Sequence, residues 1–275
     1  PAPADAIAND ASLPPLERTL AVIPLLALHV RHSFNSSPAV RRDIAAALLR
    51  QNAALLIAAP PGDLPVHRLL AGHWRPGDAD FADLVRAALV LCADHELNVS
   101  AFAARVVAST GAHLHATVCS GLAALSGPRH GGATARAHAL IADAGEASSV
   151  RDFIETRWQR GDDLPGFGHA LYPQGDPRAA EILARLRRTQ AGSPMLSRLE
   201  EIIAVTEEIS GQRPNIDFLL ASICQVHGLL ATPALVIFAA GRLAGWIAHA
   251  LEQQELGRLI RPRARYTGVA PSLEG

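Results

Sequence analysis

The chain has 275 residues, 49% hydrophobic and 19% charged, with a formal net charge of −1. That apolar content supports a sizeable core and excludes a disordered chain, and near-neutrality excludes the strongly basic footprint of a nucleic-acid binder. Lysine is absent and arginine supplies every cation other than histidine, so Schiff-base and phosphate-loop lysines are excluded. Aromatic residues, at 4%, are too sparse for an all-β protein.

Taken in chain order, Pro1–Pro15 is rich in Pro, Ala and Asp and reads as a loose lead-in. After a break at Ala59–Pro65, Phe81, Leu84, Val85, Ala88, Leu89 and Cys92 form one apolar stripe, with Asp78 or Asp80 as N-cap. Val106–Pro128 carries no formal charge, but its histidines, hydroxyls and glycines suit a buried helical stretch better than a membrane span. Further breaks fall at Gly127–Gly132, Gly161–Gly168, Pro173–Pro177 and Gly211–Pro214. Between them Leu196, Leu199, Ile202, Ile203, Thr206 and Ile209 repeat the helical period. The second uncharged stretch, Phe218–Gly241, contains Thr232-Pro233, read as an N-cap followed by proline at the first helical position. The helix it opens, apolar on nearly all sides to about Leu251, belongs in a core.

No alternating run reads as a strand, so the expected fold is all-α. Residues 131–221 are more polar and more broken than their flanks. They are expected to form a smaller domain set into a large one made of 1–130 and 222–275. Cys92, Cys119 and Cys224 are too few for a disulfide framework and point to a reducing compartment, the cytoplasm. No charged segment followed by an apolar one opens the chain as a signal peptide would.

Three histidines stand at breaks and not on apolar stripes: His95 in Asp-His-Glu-Leu-Asn, His130 in Gly-Pro-Arg-His-Gly-Gly-Ala, and His169 in Pro-Gly-Phe-Gly-His-Ala. Asp217 opens the apolar run Ile-Asp-Phe-Leu-Leu. Singly, each has a plain structural reading as a loop residue or helix cap. Together they suggest chemistry. A carboxylate entering an apolar run acquires the raised pKa that suits a general base. A histidine ahead of a helix is kept neutral by the positive end of the dipole and can donate to a developing enolate. Arg242 within an apolar helix demands an anionic partner, as a dicarboxylate would supply. His113 and His115 are spaced i, i+2, on different helix faces, and no further ligand joins them, so no metal site is expected.

Six segments, in order, resemble those of citrate synthases. They are Asp94-His-Glu-Leu-Asn98, Ser126-Gly-Pro-Arg-His-Gly-Gly-Ala133, Pro165-Gly-Phe-Gly-His169, Gly175-Asp-Pro-Arg178, Pro214-Asn-Ile-Asp217 and Arg261-Pro-Arg-Ala-Arg-Tyr266. The resemblance covers residue 65 to the C-terminus. It implies a large and a small helical domain with the active site in the cleft. It also implies condensation of an acyl-CoA, acetyl-CoA first, with oxaloacetate to give citrate and free CoA. The alternatives are a 2-methylcitrate synthase using propionyl-CoA, or a non-catalytic ligand sensor of the same family. By motif position, Asp217 would take the α-proton of the thioester, His130 would stabilise the enol, and His169 would protonate the ketone oxygen of oxaloacetate. His95, Arg178 and Arg242 would hold its carboxylates, with Arg261 contributed by the neighbouring subunit of a homodimer. Pro165, Gly166, Phe167 and Gly168 would lie against CoA, a co-substrate; no permanent cofactor, membrane or nucleic-acid partner is implied. Two departures stand out: the chain is shorter than typical members on its N-terminal side, where some relatives carry a helix-turn-helix module, and Arg129 stands where an aliphatic residue is usual.

Overall fold

The computed structural model describes residues 3–30, 33, 34 and 37–269. Thirteen helices form among them. The first seven are α1 Pro3–Ala8, α2 Pro15–Ala27, α3 Pro38–Leu56, α4 Val66–Trp74, α5 Ala79–Ala93, α6 Val99–Ala108 and α7 Leu114–Leu125. They are followed by α8 Gly132–Glu146, α9 Val150–Arg160, α10 Pro177–Thr189, α11 Pro194–Ser210, α12 Ile216–Val226 and α13 Thr232–Leu256. No strand is present among the described residues; an isolated antiparallel bridge pairs Phe167 with Pro214.

The core is organised around α13, which packs on α3, α5, α6, α7, α8 and α12. By length and mean hydropathy (1.6) α13 is apolar enough to cross a membrane, yet 72% of its apolar window is buried against the other helices. Small residues let its neighbours close in. A Cβ at Gly241 would lie 2.8 Å from the Leu89 carbonyl oxygen, and one at Gly245 only 2.1 Å from that of Ala93. From α7, a Cβ at Gly121 would strike the Trp246 ring at 2.6 Å. The C-terminal end of α5 therefore lies directly on α13, which fixes where the chain leaves α5 at Asp94 and His95. On the other side, α8, α11 and α12 pack together, with α9 on α8 and α11 and α10 on α5 and α12.

Several local expectations change. Pro3–Ala8 is a helix packed on α2 rather than loose chain; Pro1 and Ala2 lie outside the described residues. The cap of α5 is Asp78, whose Oδ1 accepts from the Phe81 N–H at 2.8 Å. Thr232 is not a cap: α13 begins at Thr232 after Ala231, without a side-chain cap bond, and Pro233 occupies its first turn. The two uncharged stretches are divided, one between α6 and α7 and the other between α12 and α13. His113 caps α7, its Nδ1 accepting from the Ala116 N–H. His115 is buried with neither ring nitrogen bonded, and burial, then the charge of His113, draws its pKa down to about 4. Burial raises the thiols of Cys92 and Cys224 to about 12 and that of Cys119 to about 11, so all three are unreactive packing groups.

Because Gly245 has no room for a methyl group, Gly245→Ala is expected to lower unfolding stability by about 1–3 kcal/mol, the usual cost of overpacking. Denaturant melts of the two proteins read that difference directly.

Candidate active site

Six of the seven proposed catalytic and substrate-holding residues converge. His95, His130, His169, Arg178, Asp217 and Arg242 line one cavity of about 260 Å³, with Glu96, Asn98, Thr134, Ile216, Leu235 and Phe238 among the remaining walls. Arg261 is the exception. It lies in exposed, irregular chain beyond α13 and does not line this cavity.

Each side chain is delivered by a local device. Arg242 projects from the face of α13 against which α5 ends, and its Nε donates to the Cys92 carbonyl at 2.7 Å. Its terminal NH1 is buried without a partner, and the guanidinium lies 5.2 Å from the Phe238 ring centroid. A buried guanidinium nitrogen with an unused donor is strong reason to expect an anion there. His95 follows immediately after α5, and Glu96 beside it adopts a left-handed φ of 55° that side chains other than glycine seldom take. Asn98 then caps α6, its Oδ1 accepting from the Ala101 N–H at 2.9 Å.

His130 precedes α8. The tight turn rests on Gly131, where a Cβ would meet the Leu125 carbonyl oxygen at 2.2 Å. Its Nε2 lies 2.8 Å from Ser100 Oγ on α6. Burial, then the charge of Arg242, holds its pKa below the ordinary imidazole value. Ser100 Oγ also lies 3.1 Å from Asn98 Oδ1 and has one proton to give. When that proton is given to His130 Nε2, the proton of the neutral ring sits on Nδ1, which has no partner among the described residues. His169 is fixed differently: its Nδ1 accepts from the Leu171 N–H at 3.2 Å, which puts the proton of the neutral ring on Nε2.

Asp217 stands in the first turn of α12, beside the segment 165–168. That segment is pinned to the entry of α12 by Gly168 N–H to Arg213 O and Asn215 N–H to Gly166 O, both 2.8 Å. Asn215 Nδ2 adds a bond to Gly168 O at 2.9 Å. Gly166 is required: its φ is +88°, and a Cβ would lie 2.8 Å from that of Phe218. Pro165, Gly166 and Phe167 line a second cavity of about 620 Å³, with Arg136, Trp158, Asp162, Asp163 and Gln212. Gly168 is not on its wall and faces Gln212 instead. Asp217 lines both cavities and so stands at their junction. Burial raises its pKa to about 6, against the lowering pull of Arg178, with Asp176 raising it further.

Asp176 was not singled out from the sequence. It caps α10 and is fully enclosed. Its Oδ1 accepts from the Arg178 backbone N–H at 2.9 Å and from Nε at 3.0 Å, while Oδ2 accepts from NH2 at 2.8 Å and from the Ile216 N–H at 3.0 Å. Burial alone would raise its pKa, but the Arg178 guanidinium and these N–H groups hold it below the usual carboxylate value. Asp176 thereby fixes both Arg178 and the start of the helix that bears Asp217. An Asp-Pro pair at a helix start signalled the cap, not the ion pair. Ser100, Tyr172 and Arg136 were also missed, since each depends on long-range approach. Among the described residues no three His, Cys, Asp or Glu side chains gather as metal ligands would.

Comparison with known proteins places the molecule. The citrate synthase C-terminal domain family matches residues 8–263, and the chain belongs to the citrate synthase family. It is 38% identical over 190 residues to citrate synthase 2 of Bacillus subtilis, covering 66% of this chain and 50% of the relative. It is 35% identical over 209 residues to the 2-methylcitrate synthase of Shewanella oneidensis, covering 74% and 56%. The chain thus spans about half the length of the curated relatives it matches. Citrate synthase from Thermoplasma acidophilum, solved in ternary complex with carboxymethyl coenzyme A and oxaloacetate, superposes with a TM-score of 0.79 at 25% identity. That superposition covers 98% of this chain and 78% of the other.

The pKa of Asp217 fixes a sign. Its folded value, about 6, lies above the ordinary ~3.9 of an unfolded aspartate. Ionisation therefore costs stability: nothing at pH below both values, more as pH rises between them, and the full amount above both. Asp217→Asn removes that cost. The variant should be more stable than the wild type at pH 8, by up to about 3 kcal/mol, and equal to it near pH 4. Melts across that range test the assignment, and a difference independent of pH contradicts it.

Proposed function

We propose that the protein condenses an acyl-CoA with oxaloacetate, releasing citrate and CoA. The observation that carries this reading is Asp217, a carboxylate of raised pKa at the junction of two cavities. One cavity is lined by three histidines and two arginines, the other by the Pro165–Phe167 segment, Arg136 and Trp158. The acyl end of a CoA thioester entering from the larger cavity meets Asp217, and oxaloacetate occupies the smaller.

The chemistry follows from the placements. Asp217 removes an α-proton from the thioester methyl group while the Nδ1–H of His130 donates to the oxygen that becomes negative. Neither group suffices alone, because a thioester α-proton is too weakly acidic for an unassisted carboxylate. The enol carbon attacks the ketone carbon of oxaloacetate, and His169 Nε2–H delivers its proton to the ketone oxygen. Arg242, Arg178 and His95 hold the carboxylates throughout. Water then cleaves the thioester of citryl-CoA. Arg136 is the cation of the larger cavity and serves the anionic part of CoA, the role lysine would otherwise share. In this reading 131–221 form a smaller lobe closing on 1–130 and 222–275, a division that the mutual packing of α8, α11 and α12 supports. The three free thiols suit the cytoplasm.

A thiol-release assay with acetyl-CoA and oxaloacetate tests the proposal. Wild type is expected to turn over. Asp217→Asn should lose orders of magnitude in kcat while oxaloacetate affinity is retained. Binding of both ligands without thiol release would identify a sensor. Propionyl-CoA in parallel decides the acyl group, since one methylene is worth about 1–3 kcal/mol against walls such as Leu235 and Phe238. The match to a 2-methylcitrate synthase makes that comparison necessary.

We further propose a homodimer with shared sites. On α6, Val99 and Phe102 are exposed at helical spacing, and Leu97, just before the helix, is exposed as well. This apolar face borders the His95 loop and suits a second copy. Across the two-fold axis Arg261 reaches the partner's oxaloacetate. Arg261→Ala and His130→Ala, each inactive alone, should regain roughly a quarter of wild-type activity when refolded together, because about half the dimers are mixed and each restores one of two sites. No recovery in a sample containing mixed dimers excludes the shared site.

A further inference from the structure

We propose that Tyr172 is a positioning residue for oxaloacetate, holding His95 by its hydroxyl and His169 and Arg178 by its ring. The inference rests on the reading above and deepens it, by naming what fixes three of the groups that grasp the substrate.

Tyr172 Oη lies 2.9 Å from His95 Nε2. Its ring centroid is 5.3 Å from that of His95 and 5.0 Å from that of His169, while those two imidazoles meet edge-on at 5.2 Å. The Arg178 guanidinium carbon stands 6.0 Å from the same ring, within reach of a cation–π contact. The backbone holds the tyrosine in turn: its N–H donates to His169 O at 3.1 Å, and its carbonyl accepts from Gly175 N–H at 3.0 Å. Gly175 takes a φ of +110°, with space for a Cβ limited by Arg213 Cδ at 3.0 Å.

The hydroxyl does more than fill space. A carboxylate only accepts hydrogen bonds, so a neutral histidine that binds it must present an N–H. His95 has one ring proton to place. Nδ1 has no partner among the described residues, and Nε2 faces the tyrosine. With the Tyr172 O–H donating to Nε2, the proton is fixed on Nδ1, the nitrogen left for the substrate. Burial, then the charges of Arg178 and His169, keeps His95 below the ordinary imidazole pKa, so one ring proton is the relevant state.

Tyr172→Phe keeps the ring and removes the donor. Oxaloacetate titrated calorimetrically should bind about tenfold more weakly, the order that one lost polar contact carries. The KM for oxaloacetate should rise with it, while kcat at saturation and the KM for acetyl-CoA stay within about twofold. In ¹⁵N spectra the His95 imidazole should shift from a single tautomer toward a mixture, a change that a purely structural role would not produce. Tyr172→Leu, lacking the ring as well, should also lower kcat through His169. An oxaloacetate affinity for Tyr172→Phe within twofold of wild type overturns the proposal. Wild type that binds oxaloacetate without condensing it overturns the enzymatic reading instead, and the same titration still decides the role of Tyr172.

Discussion

The site depends on one buried carboxylate. Asp176 accepts three hydrogen bonds from Arg178 and a fourth from the first N–H of α12. Two elements separated by some 40 positions of sequence are thereby held at one point: the arginine proposed to bind substrate and the helix that presents the base. A buried ion pair of this kind is weak evidence for stability, because desolvation offsets much of its Coulomb energy. Its value here is geometric. All four bonds end on one rigid group, so Arg178 and Asp217 cannot drift independently.

The same arrangement separates two aspartates in pKa. Asp176 is surrounded by N–H groups and a guanidinium and is held ionised. Asp217 is in the apolar mouth of α12, where burial outweighs Arg178, and the negative charge of Asp176 raises it further. Asp176 thus tunes the base as well as placing it. Two carboxylates whose surroundings drive their pKa values apart fit the proposed division between structural anchor and acid–base catalyst. The histidines are divided likewise. His130 and His169 reserve opposite ring nitrogens for the cavity, because Ser100 engages Nε2 of one and Leu171 engages Nδ1 of the other.

The helical class was legible because the apolar stripes of α5 and α11 and the unbroken apolarity of α13 admit no other period. The candidate residues were legible as a set: singly each histidine and Asp217 reads as a loop residue or helix cap, and the order of six family-like segments is what joined them. What was not legible depended on distance. Asp176 appeared only as part of the Gly175-Asp-Pro-Arg178 segment, and Tyr172 carried no pattern at all. His113 and His115, whose spacing gives no reason to expect a metal, are a helix cap and a buried ring without a hydrogen-bond partner among the described residues. Of the two candidates for the α5 cap Asp78 makes the bond, while Thr232 lies inside α13 and does not cap it, because sequence gives candidates within a turn whereas the bond itself selects the residue. At Pro3–Ala8 composition suggested a loose segment, and packing against α2 overrode it.

Charge balance in the small cavity gives the last step. Arg178 is already compensated by Asp176, and Asp217, with a pKa of about 6, is ionised above that pH and adds no positive charge. Of the two arginines on this cavity, Arg242 carries a buried guanidinium nitrogen with no partner among the described residues. At most one buried cation is left for a carboxylate, but the proposed ligand is a dianion. Neutral His95 supplies a hydrogen bond and no charge. The second negative charge therefore calls for a cation from outside this cavity, and an anion of one unit would not. Arg261, the one proposed substrate residue that lies apart from the cavity and exposed to solvent, is the residue proposed to supply it from a second chain. The proposed dimer and the proposed dicarboxylate thus stand on the same balance, since one chain alone would leave at least half of that ligand's charge unanswered.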